Sequence, residues 1–425
     1  MITFTACQRV SDWDIAQFTR PIAHDIWFDA DVHRVFADES DRDGGTDRTT
    51  LHPLYGYFTY PPLFIVRKVS GVSGYTTVRC FHASVAGAYV ALFFFLLRLM
   101  QLRRLDAVIC SAALVSSSSA IFWFPVPETF VLGGMSILPA LVLAAAPAEA
   151  PVLPYQIANI LGIGVTVTNW LASLLVSWLD LPMKKFLRVV AITLGVTLAG
   201  GLAYSRVFPN SKPMFEGIPH EAAWIFAPES GGPFAILRTF FISSMITPEI
   251  TMLPNFRQPA WPLMTMQFGR LFSGTGWSYL STTLWAILLI FGLAALFRLK
   301  EFARLRTVLG VTLLYELLLH LLYGRETFLY SMHYLPLMVL CVALACHTRW
   351  RRLVLALTVV MTVGNFANNV RQFAWAREYA HRFPVIQSQE DEIARRVRVP
   401  RLRHDPSTQY RFFRDVWPGD SKPKI

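Results

Sequence analysis

Six carboxylates crowd into one short stretch near the beginning of this 425-residue chain, in which only 16% of all residues are charged. Asp31, Arg34 and Asp38 have the spacing i, i+3, i+7, so a helix would place these three side chains on one face. Two carboxylates beside a guanidinium can keep a base ionised next to a polar substrate. The alternative is an acid-rich helix that is merely solvated. The six acids are Asp25, Asp29, Asp31, Asp38, Glu39 and Asp41.

A second candidate acid, Glu128, stands in the segment 123–129 (WFPVPET), between two apolar stretches. A carboxylate at the edge of a membrane is costly when it is unpaired, so this position indicates a function. The alternative is that Glu128 caps the amino end of a helix that begins at Thr129. Asp31 and Glu128 are therefore the two predicted catalytic residues.

Three more polar residues, Arg325, Glu326 and His333, lie between apolar stretches in the last third of the chain. An arginine grips a phosphate group through paired donors, so we predict that these residues contact a substrate that carries phosphate. The alternatives are a plain contact to lipid headgroups and a structural ion pair between Arg325 and Glu326.

Several common catalytic motifs are absent from the sequence. The pair His220–Glu221 is followed by Ala-Ala-Trp and is not an HExxH zinc motif. Without a GxxxxGK loop or a GxSxG elbow, ATPase and serine-hydrolase activities are disfavoured. The five cysteines form no CxxC pair, so we predict neither a metal site nor a disulfide framework. The basic residues stand in short clusters between apolar runs, which argues against nucleic acid as a partner.

The composition predicts an all-α polytopic membrane protein. Hydrophobic residues make up 54% of the chain, and its charged fraction is below the roughly 25% of soluble domains. A helix needs about 20 apolar residues to cross a bilayer, and the apolar stretches predict about ten crossings. The stretch 155–180 is too long for one upright crossing, so we expect two shorter helices that meet at Thr168–Asn169. The other predicted crossings are 78–97, 106–124, 129–147, 189–204, 278–297, 307–323, 331–346 and 353–370.

Four clusters of basic residues determine the predicted orientation. With ten crossings all four clusters fall on one side, which is cytoplasmic because membrane proteins keep Lys and Arg on that side. The candidate acids then face outward from a plasma membrane of the bacterial type. The clusters are Arg98, Arg103 and Arg104; Lys184, Lys185 and Arg188; Arg298, Lys300, Arg304 and Arg306; and Arg349, Arg351 and Arg352.

This orientation divides the chain into five parts. We expect an outer catalytic segment at 1–77 and a first transmembrane bundle at 78–204. A large outer loop at 205–277 then precedes a second transmembrane bundle at 278–370. The last part is an outer tail at 371–425.

Two apolar stretches in the outer segments are too short to be comfortable crossings. The stretch 51–66, which is interrupted by Pro61–Pro62, and the stretch 233–248 predict helices that lie at the membrane surface. The amino-terminal segment carries neither a signal nor a preceding span that would export it. We therefore expect a further span upstream of Met1, the alternative being translocation of a short tail without a signal.

The order of these features resembles that of the GT-C type integral-membrane glycosyltransferases, including protein O-mannosyltransferases and lipid A aminoarabinose transferases. Asp31 with Arg34 resembles the Asp-x-x-Arg motif of the family's first outer loop. The tripeptide His52–Pro53–Leu54 resembles the start of its interfacial helix. Glu128 stands where the family has a second acid, which is often Asp. The chain departs from the family at its beginning, since the span that precedes the catalytic loop is missing.

The resemblance implies transfer of a sugar from a polyprenyl-phosphate carrier to a glycan, lipid or protein acceptor at the outer face. Asp31 would be the general base, with Asp29 as the alternative, and a single base implies inversion at the sugar. Arg325 and His333 would hold the donor phosphate, so no cofactor or metal is required beyond the donor itself. The other implied substrate-binding residues are Arg34, Asp29, His52 and Glu326.

Two other functions remain open at this point. One is a polytopic transporter or a flippase for lipid-linked sugars. Transporters place their ionisable residues deep in the spans, and Glu316 and His320 are the two residues of this kind in the predicted spans. The other is a glycan polymerase or ligase, which would use cationic residues of the large outer loop. The loop residues in question are Arg206, His220, Arg238, Arg257 and Arg270.

Overall fold

The fold is a bundle of apolar helices, seen here in a computed structural model. It describes residues 26–147, 151–222, 224–227, 230–254 and 262–397, with side chains as far as Ala380. Residues 1–25 and 398–425 lie outside this part, and with them Asp25 and much of the predicted outer segments.

The helices, in chain order, are α1 (Val32–Ser40), α2 (Tyr55–Ser70), α3 (Gly74–Leu99), α4 (Arg104–Val115), α5 (Ser118–Trp123), α6 (Thr129–Ala145), α7 (Val152–Val165), α8 (Trp170–Asp180), α9 (Met183–Val207), α10 (Ile218–Ala222), α11 (Gly232–Arg238), α12 (Gly276–Arg298), α13 (Ala303–Leu322), α14 (Ser331–Leu344) and α15 (Arg351–Val397). Four short turns adjoin these helices. Three are 3₁₀ turns, Val167–Asn169 before α8, Thr327–Tyr330 before α14 and Ala345–His347 after α14, and the fourth is a π turn, Thr239–Ser243, after α11.

Six helical segments of the described chain are long and apolar enough to cross a membrane. They are α3, α9, α12, α13, the segment Thr327–His347 around α14, and α15 as far as Ala380. Shorter apolar helices cover Thr129–Ala145, Val152–Val165 and Gly232–Ser243. The helical, multi-pass character of the chain agrees with the composition, while the count of about ten crossings stays a prediction.

The centre of the bundle is α14, which is buried over its whole length. It packs against α6, α12 and α13, and α6 packs in turn against α3 and α7. A helix that is apolar all round is suited to such a position, since each face buries hydrophobic surface. The first residues of α6 and α14 are consequently fixed beside each other, and both belong to the candidate site described below.

The stretch 155–180 forms two helices, α7 and α8, which confirms the predicted division near Thr168–Asn169. The amide of Asn169 donates to the carbonyl oxygen of Gly133 at 2.8 Å, so the turn between the helices is tied to α6. At the other end of the hairpin, the Tyr155 hydroxyl donates to Asp180 Oδ2 at 2.8 Å. The two helices therefore run antiparallel, with their turn beside the first residues of α6.

The stretch 106–124, one of the predicted crossings, is not a single continuous helix. The helix breaks at Ser116 and Ser117 and resumes as α5, because serine hydroxyls bond to the local backbone and compete with helix formation. The side chain of Asn369, on α15, forms hydrogen bonds with the backbone at the break and at Thr247. Its amide donates to the Ser116 carbonyl at 2.9 Å, and its Oδ1 accepts from the Thr247 amide at 2.8 Å. The run of four serines at 116–119 was the available signal.

A short hairpin in the large outer loop was not predicted by the all-α assignment. Strands β1 (Thr251–Pro254) and β2 (Pro262–Thr265) pair antiparallel, with Thr251 opposite Thr265. The amide of Met264 also donates to the carbonyl of Ile26 at 2.9 Å, so the hairpin holds the amino-terminal segment. Strands this short are stabilised by such contacts from distant residues rather than by their own sequence.

The two predicted interfacial segments are helical. Helix α2 starts at Tyr55 and contains Pro61 and Pro62, and it continues to Ser70 rather than ending at 66. The segment predicted at 233–248 is helical over Gly232–Ser243 and ends five residues earlier than expected. Their position at a membrane surface stays a prediction.

Two aromatic residues attach the segment before α1 to the bundle. Trp27 stacks on Phe122 with ring centroids 5.5 Å apart, and Phe28 packs edge-on against Phe328 at 5.3 Å. Both rings are fully buried. Because large aromatic side chains dominate core packing energies, this contact fixes the start of α1 over the bundle.

Two of the predicted cytoplasmic clusters contribute arginines that bind at one end of the bundle. Arg304, at the start of α13, donates to the carbonyls of Leu143 and Ala144 at the end of α6. Arg351, at the start of α15, pairs with Asp106 of α4 at 2.6 Å. We call this the basic end of the bundle. The first residues of α6 and α14 and the last of α7 and α13 lie at the other end.

Replacing Asn369 with leucine should destabilise the fold by about 2–4 kcal/mol, because the Ser116 carbonyl and the Thr247 amide would lose their buried partner. The measurement is the thermal unfolding midpoint of the purified protein in detergent. Thr362→Val is the matched control on the same helix, since that hydroxyl bonds only to the Thr358 carbonyl. Equal midpoints for the two variants would show that the break does not need Asn369.

Candidate functional site

All eight residues predicted for the site line one cavity, at the end of the bundle opposite the basic end. The cavity lies between the first residues of α1, α6 and α14 and the last of α7 and α13. The predicted residues on its wall are Asp29, Asp31, Arg34, His52, Glu128, Arg325, Glu326 and His333. Sequence reasoning missed Arg48, His320, Tyr323, Tyr330 and Trp224, which also line it.

Asp31 is the residue on which two arginines converge. It stands at the N-cap of α1, and its Oδ2 lies 2.9 Å from Arg34 Nη2 and 3.5 Å from Arg48 Nη2. Arg34 also lies 3.7 Å from Asp38 Oδ2, so the guanidinium stands between two carboxylates as the helical spacing predicted. Burial opposes the charge of Arg34, but Asp31 and Asp38 outweigh it and raise the pKa of Arg34 above its usual value.

Arg48 connects this cluster to the loop 205–277. Its Nη1 donates to both carboxylate oxygens of Glu221, at 3.0 and 3.1 Å, and Glu221 also accepts a hydrogen bond from Tyr323. Arg48 stands four residues before His52, so its charge and position could have suggested it as a site residue. Nothing local indicated that Glu221 would be its partner. The contact spans 173 positions of sequence.

Glu128 caps α6 and also lines the cavity, while its catalytic role stays a prediction. One carboxylate oxygen accepts from the backbone amide of Thr129, which caps α6, and the other accepts from the Asp31 amide at 3.1 Å. The side chain is almost fully buried. Burial raises the pKa of Glu128 to about 7, against the opposing effect of Arg34. Glu128 can therefore accept or release a proton near neutral pH.

A buried network behind the cavity holds α1 in place. The Tyr55 hydroxyl donates to Glu39 Oε1 at 2.6 Å, and His82 Nε2 lies 2.8 Å from Glu39 Oε2. These contacts join α1 to α2 and α3. Burial also raises the pKa of the neighbouring Asp38 to about 7, although Arg34 opposes the shift.

Arg325 pairs with Asp29 rather than with Glu326, so the alternative of a structural Arg325–Glu326 pair is wrong. Its Nη2 lies 2.7 Å from each carboxylate oxygen of Asp29, and the guanidinium lies over the Trp224 ring at 4.6 Å. Asp29 has a positive φ of 62°, an uncommon conformation for a residue other than glycine. The strained turn directs its carboxylate to the arginine across the cavity.

Glu326 is a buried acid whose pKa is raised. One oxygen accepts from the Thr265 hydroxyl, while the other, Oε1, is buried and has no hydrogen-bond partner among the described residues. Burial raises the pKa of Glu326 to about 8, with Asp29 adding to the shift. At neutral pH the side chain is consequently protonated and can donate a hydrogen bond into the cavity.

The two predicted histidines differ in their freedom to bind a ligand. His52 Nδ1 lies 2.7 Å from the Val165 carbonyl, and burial lowers the pKa of His52 to about 3, so the ring is neutral. His333 Nε2 is buried and finds no hydrogen-bond partner in the part of the chain that the structure describes. It lies so close to Gly133 that a Cβ at this glycine would be 2.3 Å from the ring nitrogen. Only glycine at position 133 leaves room for that imidazole.

The arrangement is suited to an anionic substrate that also carries hydroxyl groups. Three arginines and two aspartates give the cavity charges of both signs, with Glu128 close to its titration point. Three buried atoms on its wall, Arg325 Nε, Glu326 Oε1 and His333 Nε2, have no hydrogen-bond partner within the described segments. Buried polar groups normally find partners, so these three atoms point to a bound polar ligand. In the described part of the chain, no group of three or more His, Cys, Asp or Glu side chains could hold a metal.

Comparison of the chain with protein-family models, with curated proteins and with solved structures finds no match. The resemblance to the GT-C glycosyltransferases therefore rests on the motifs and their placement alone.

The Glu326→Gln variant should show a weaker loss of stability with rising pH. The folded state holds a proton on Glu326 up to about pH 8, whereas the carboxyl ordinarily loses it near 4.5, so stability falls as pH rises between these values. The glutamine is neutral throughout and removes this contribution. The measurement is the unfolding midpoint at several pH values between 5 and 8.

The exposed acid Glu249 supplies the control for this measurement, as the variant Glu249→Gln. Asp38 and Glu128 continue to titrate in both variants, so the slope becomes shallower without vanishing. If Glu326→Gln keeps the slope of the control, Glu326 is ionised in the folded protein and the assignment fails.

Proposed function

We propose that the protein is a GT-C type glycosyltransferase that moves a sugar from a polyprenyl-phosphate carrier to an acceptor. The observation that carries the proposal is the meeting of all eight predicted residues in one cavity at the ends of apolar helices. Such a place suits a substrate whose tail stays in the bilayer while its phosphate and sugar reach a polar pocket. The proposal includes no cofactor beyond the donor.

The basic end of the bundle supports an outward orientation for this cavity. Arg304 and Arg351 belong to the predicted cytoplasmic clusters, and their contacts lie at the opposite ends of the helices that form the cavity. By the positive-inside rule the cavity would then face the exterior of the plasma membrane. Lipid-linked sugars and an outer glycan, lipid or protein acceptor would meet there.

Asp31 is the general base in this proposal. Its side chain is 29% exposed, against 13% for Asp29, and Arg325 engages both oxygens of Asp29. Asp31 is thus the better placed of the two to receive a proton from an entering hydroxyl. Arg34 and Arg48 both pair with its Oδ2. Glu128, bonded to the Asp31 amide, fixes the carboxylate at the start of α1.

The transfer step balances without any further reactant. The acceptor oxygen gives its proton to Asp31 and forms a bond to the anomeric carbon, while the bond from that carbon to the phosphate oxygen breaks. The electron pair of the broken bond stays on the phosphate, whose growing charge is stabilised by an arginine of the cavity such as Arg325. A single base with no second nucleophile gives inversion at the sugar.

One observation favours a second candidate, a transporter or flippase for lipid-linked sugars. Glu316 and His320 lie buried within α13, and ionisable residues inside spans are typical of transport pathways. Transport of the lipid-linked sugar across vesicles would then persist when Asp31 and Glu128 are both neutralised. Loss of sugar transfer with unchanged membrane insertion instead favours the transferase.

The Asp31→Asn variant should lose at least about 100-fold in the rate of sugar transfer, because the amide cannot take the acceptor proton. The assay uses membranes that contain the inserted protein and labelled polyprenyl-phosphate sugars. Asp43→Asn, an exposed acid of the same segment, is the matched control and should transfer at the unaltered rate. A fully active Asp31→Asn protein would remove Asp31 from the catalytic role. An equal loss of transfer rate in the Asp29→Asn protein would do the same.

A further inference from the structure

Two ionisable side chains lie one turn apart inside the apolar helix α13. Glu316 is 1% exposed and His320 is 3% exposed, and His320 Nε2 lies 3.5 Å from Glu316 Oε2. His320 lines the cavity, whereas Glu316 lies one turn further towards the basic end. The proposed transfer step uses neither residue.

This pair serves no evident structural purpose. Within the described chain, neither carboxylate oxygen of Glu316 and neither ring nitrogen of His320 has a hydrogen-bond partner. At 3.5 Å the contact between them is longer than a good hydrogen bond. Apolar residues of the same volume would be at least as stable at such positions. A buried ionisable pair that borders a cavity is therefore a candidate for ligand binding.

The packing around His320 fixes the plane of its ring. Tyr330 stacks on the imidazole with centroids 5.0 Å apart, and Tyr334 and Phe240 lie at 5.5 and 6.3 Å. Because these aromatic rings set the plane of the imidazole, the freedom left to the side chain is to turn the ring over within that plane. The nearby carboxylate of Glu316 can select which nitrogen carries the proton.

The two walls of the cavity differ in chemistry. The amino-terminal wall carries charged side chains such as Asp31, Arg34 and Arg48, which suit a general base. The wall formed by α13 and α14 carries His320, Tyr330 and His333 instead, with hydrogen-bonding atoms suited to hydroxyl groups. Sugars present several hydroxyls, and these atoms can bind one of them.

We propose that His320, oriented by Glu316, recognises a hydroxyl group of the transferred sugar, and this rests on the proposed transferase function. With the sugar bound, the contact of 3.5 Å shortens so that Glu316 accepts from the Nε2–H of the ring, and Nδ1 keeps its lone pair and accepts from the sugar hydroxyl. Glu316 is a positioning residue that acts through His320. The pair sets which sugars the cavity accepts and takes no part in breaking the glycosidic bond.

The test measures kcat/KM with polyprenyl-phosphate sugars in which single hydroxyls are replaced by hydrogen. His320→Phe keeps the stacking on Tyr330 and should lower kcat/KM for the parent sugar by about 10- to 100-fold, the effect of one buried hydrogen bond. This variant should also lose the preference for the parent sugar over the one deoxy analogue that lacks the recognised hydroxyl. All other preferences should stay as they are.

Variants of Glu316 separate positioning from simple packing. Glu316→Gln keeps an acceptor for the imidazole N–H and should retain the preference, whereas Glu316→Leu should lose it as His320→Phe does. The matched control is Thr312→Val, one turn away on the same buried face, whose hydroxyl also has no partner in the described chain. Thermal unfolding of each variant confirms that the bundle is intact.

The outcomes distinguish this inference from the proposed function. If the unaltered protein transfers sugar and His320→Phe keeps every preference among the deoxy analogues, His320 does not recognise a hydroxyl and the inference is overturned. If Glu316→Gln and Glu316→Leu behave alike, Glu316 does not orient the ring. An unaltered protein that transfers none of the sugars overturns the transferase proposal itself, and this inference with it.

Discussion

Charge pairing inside an apolar chain is the constraint on which the site depends. A guanidinium removed from water must find a carboxylate, and Asp31 provides one for both Arg34 and Arg48. Arg48 then reaches Glu221 in the large outer loop. These contacts join α1, the loop after it and the short helix α10 into one wall. The cavity exists because this charged wall closes over the ends of the apolar helices.

Most of the fold follows from hydrophobic pattern and length, as the helices at Gly74–Leu99 and Gly276–Arg298 illustrate. The division of 155–180 was also readable, because a polar centre interrupts an apolar run. The break at Ser116 was visible as a serine run, yet its stability depends on Asn369, which is 253 positions away. Local patterns do not reveal such a partner. The hairpin of β1 and β2 was missed for the same reason.

The residues that line the cavity were largely predictable from the sequence, but the pairs that their side chains form were not. Acids and arginines in an apolar chain are rare enough to identify Asp31, Arg34 and Glu128 from their positions alone. The partner of Arg325 was not predictable, because Asp29 reaches it only through a left-handed turn and a fold that joins distant segments. The raised pKa values of Glu128 and Glu326 were not predictable either, because they depend on burial, which sequence spacing does not give.

Labelling of introduced cysteines tests most directly the central claim, that the charged wall lies at the outer face. In a chain whose native cysteines are replaced by serine, Asp43→Cys lies beside that wall and Lys300→Cys lies at the basic end; both positions are exposed. An impermeant thiol reagent should label position 43 on intact cells and position 300 only after lysis. The reverse pattern would place the cavity in the cytoplasm, out of reach of an outward-facing lipid-linked sugar, and contradict the account.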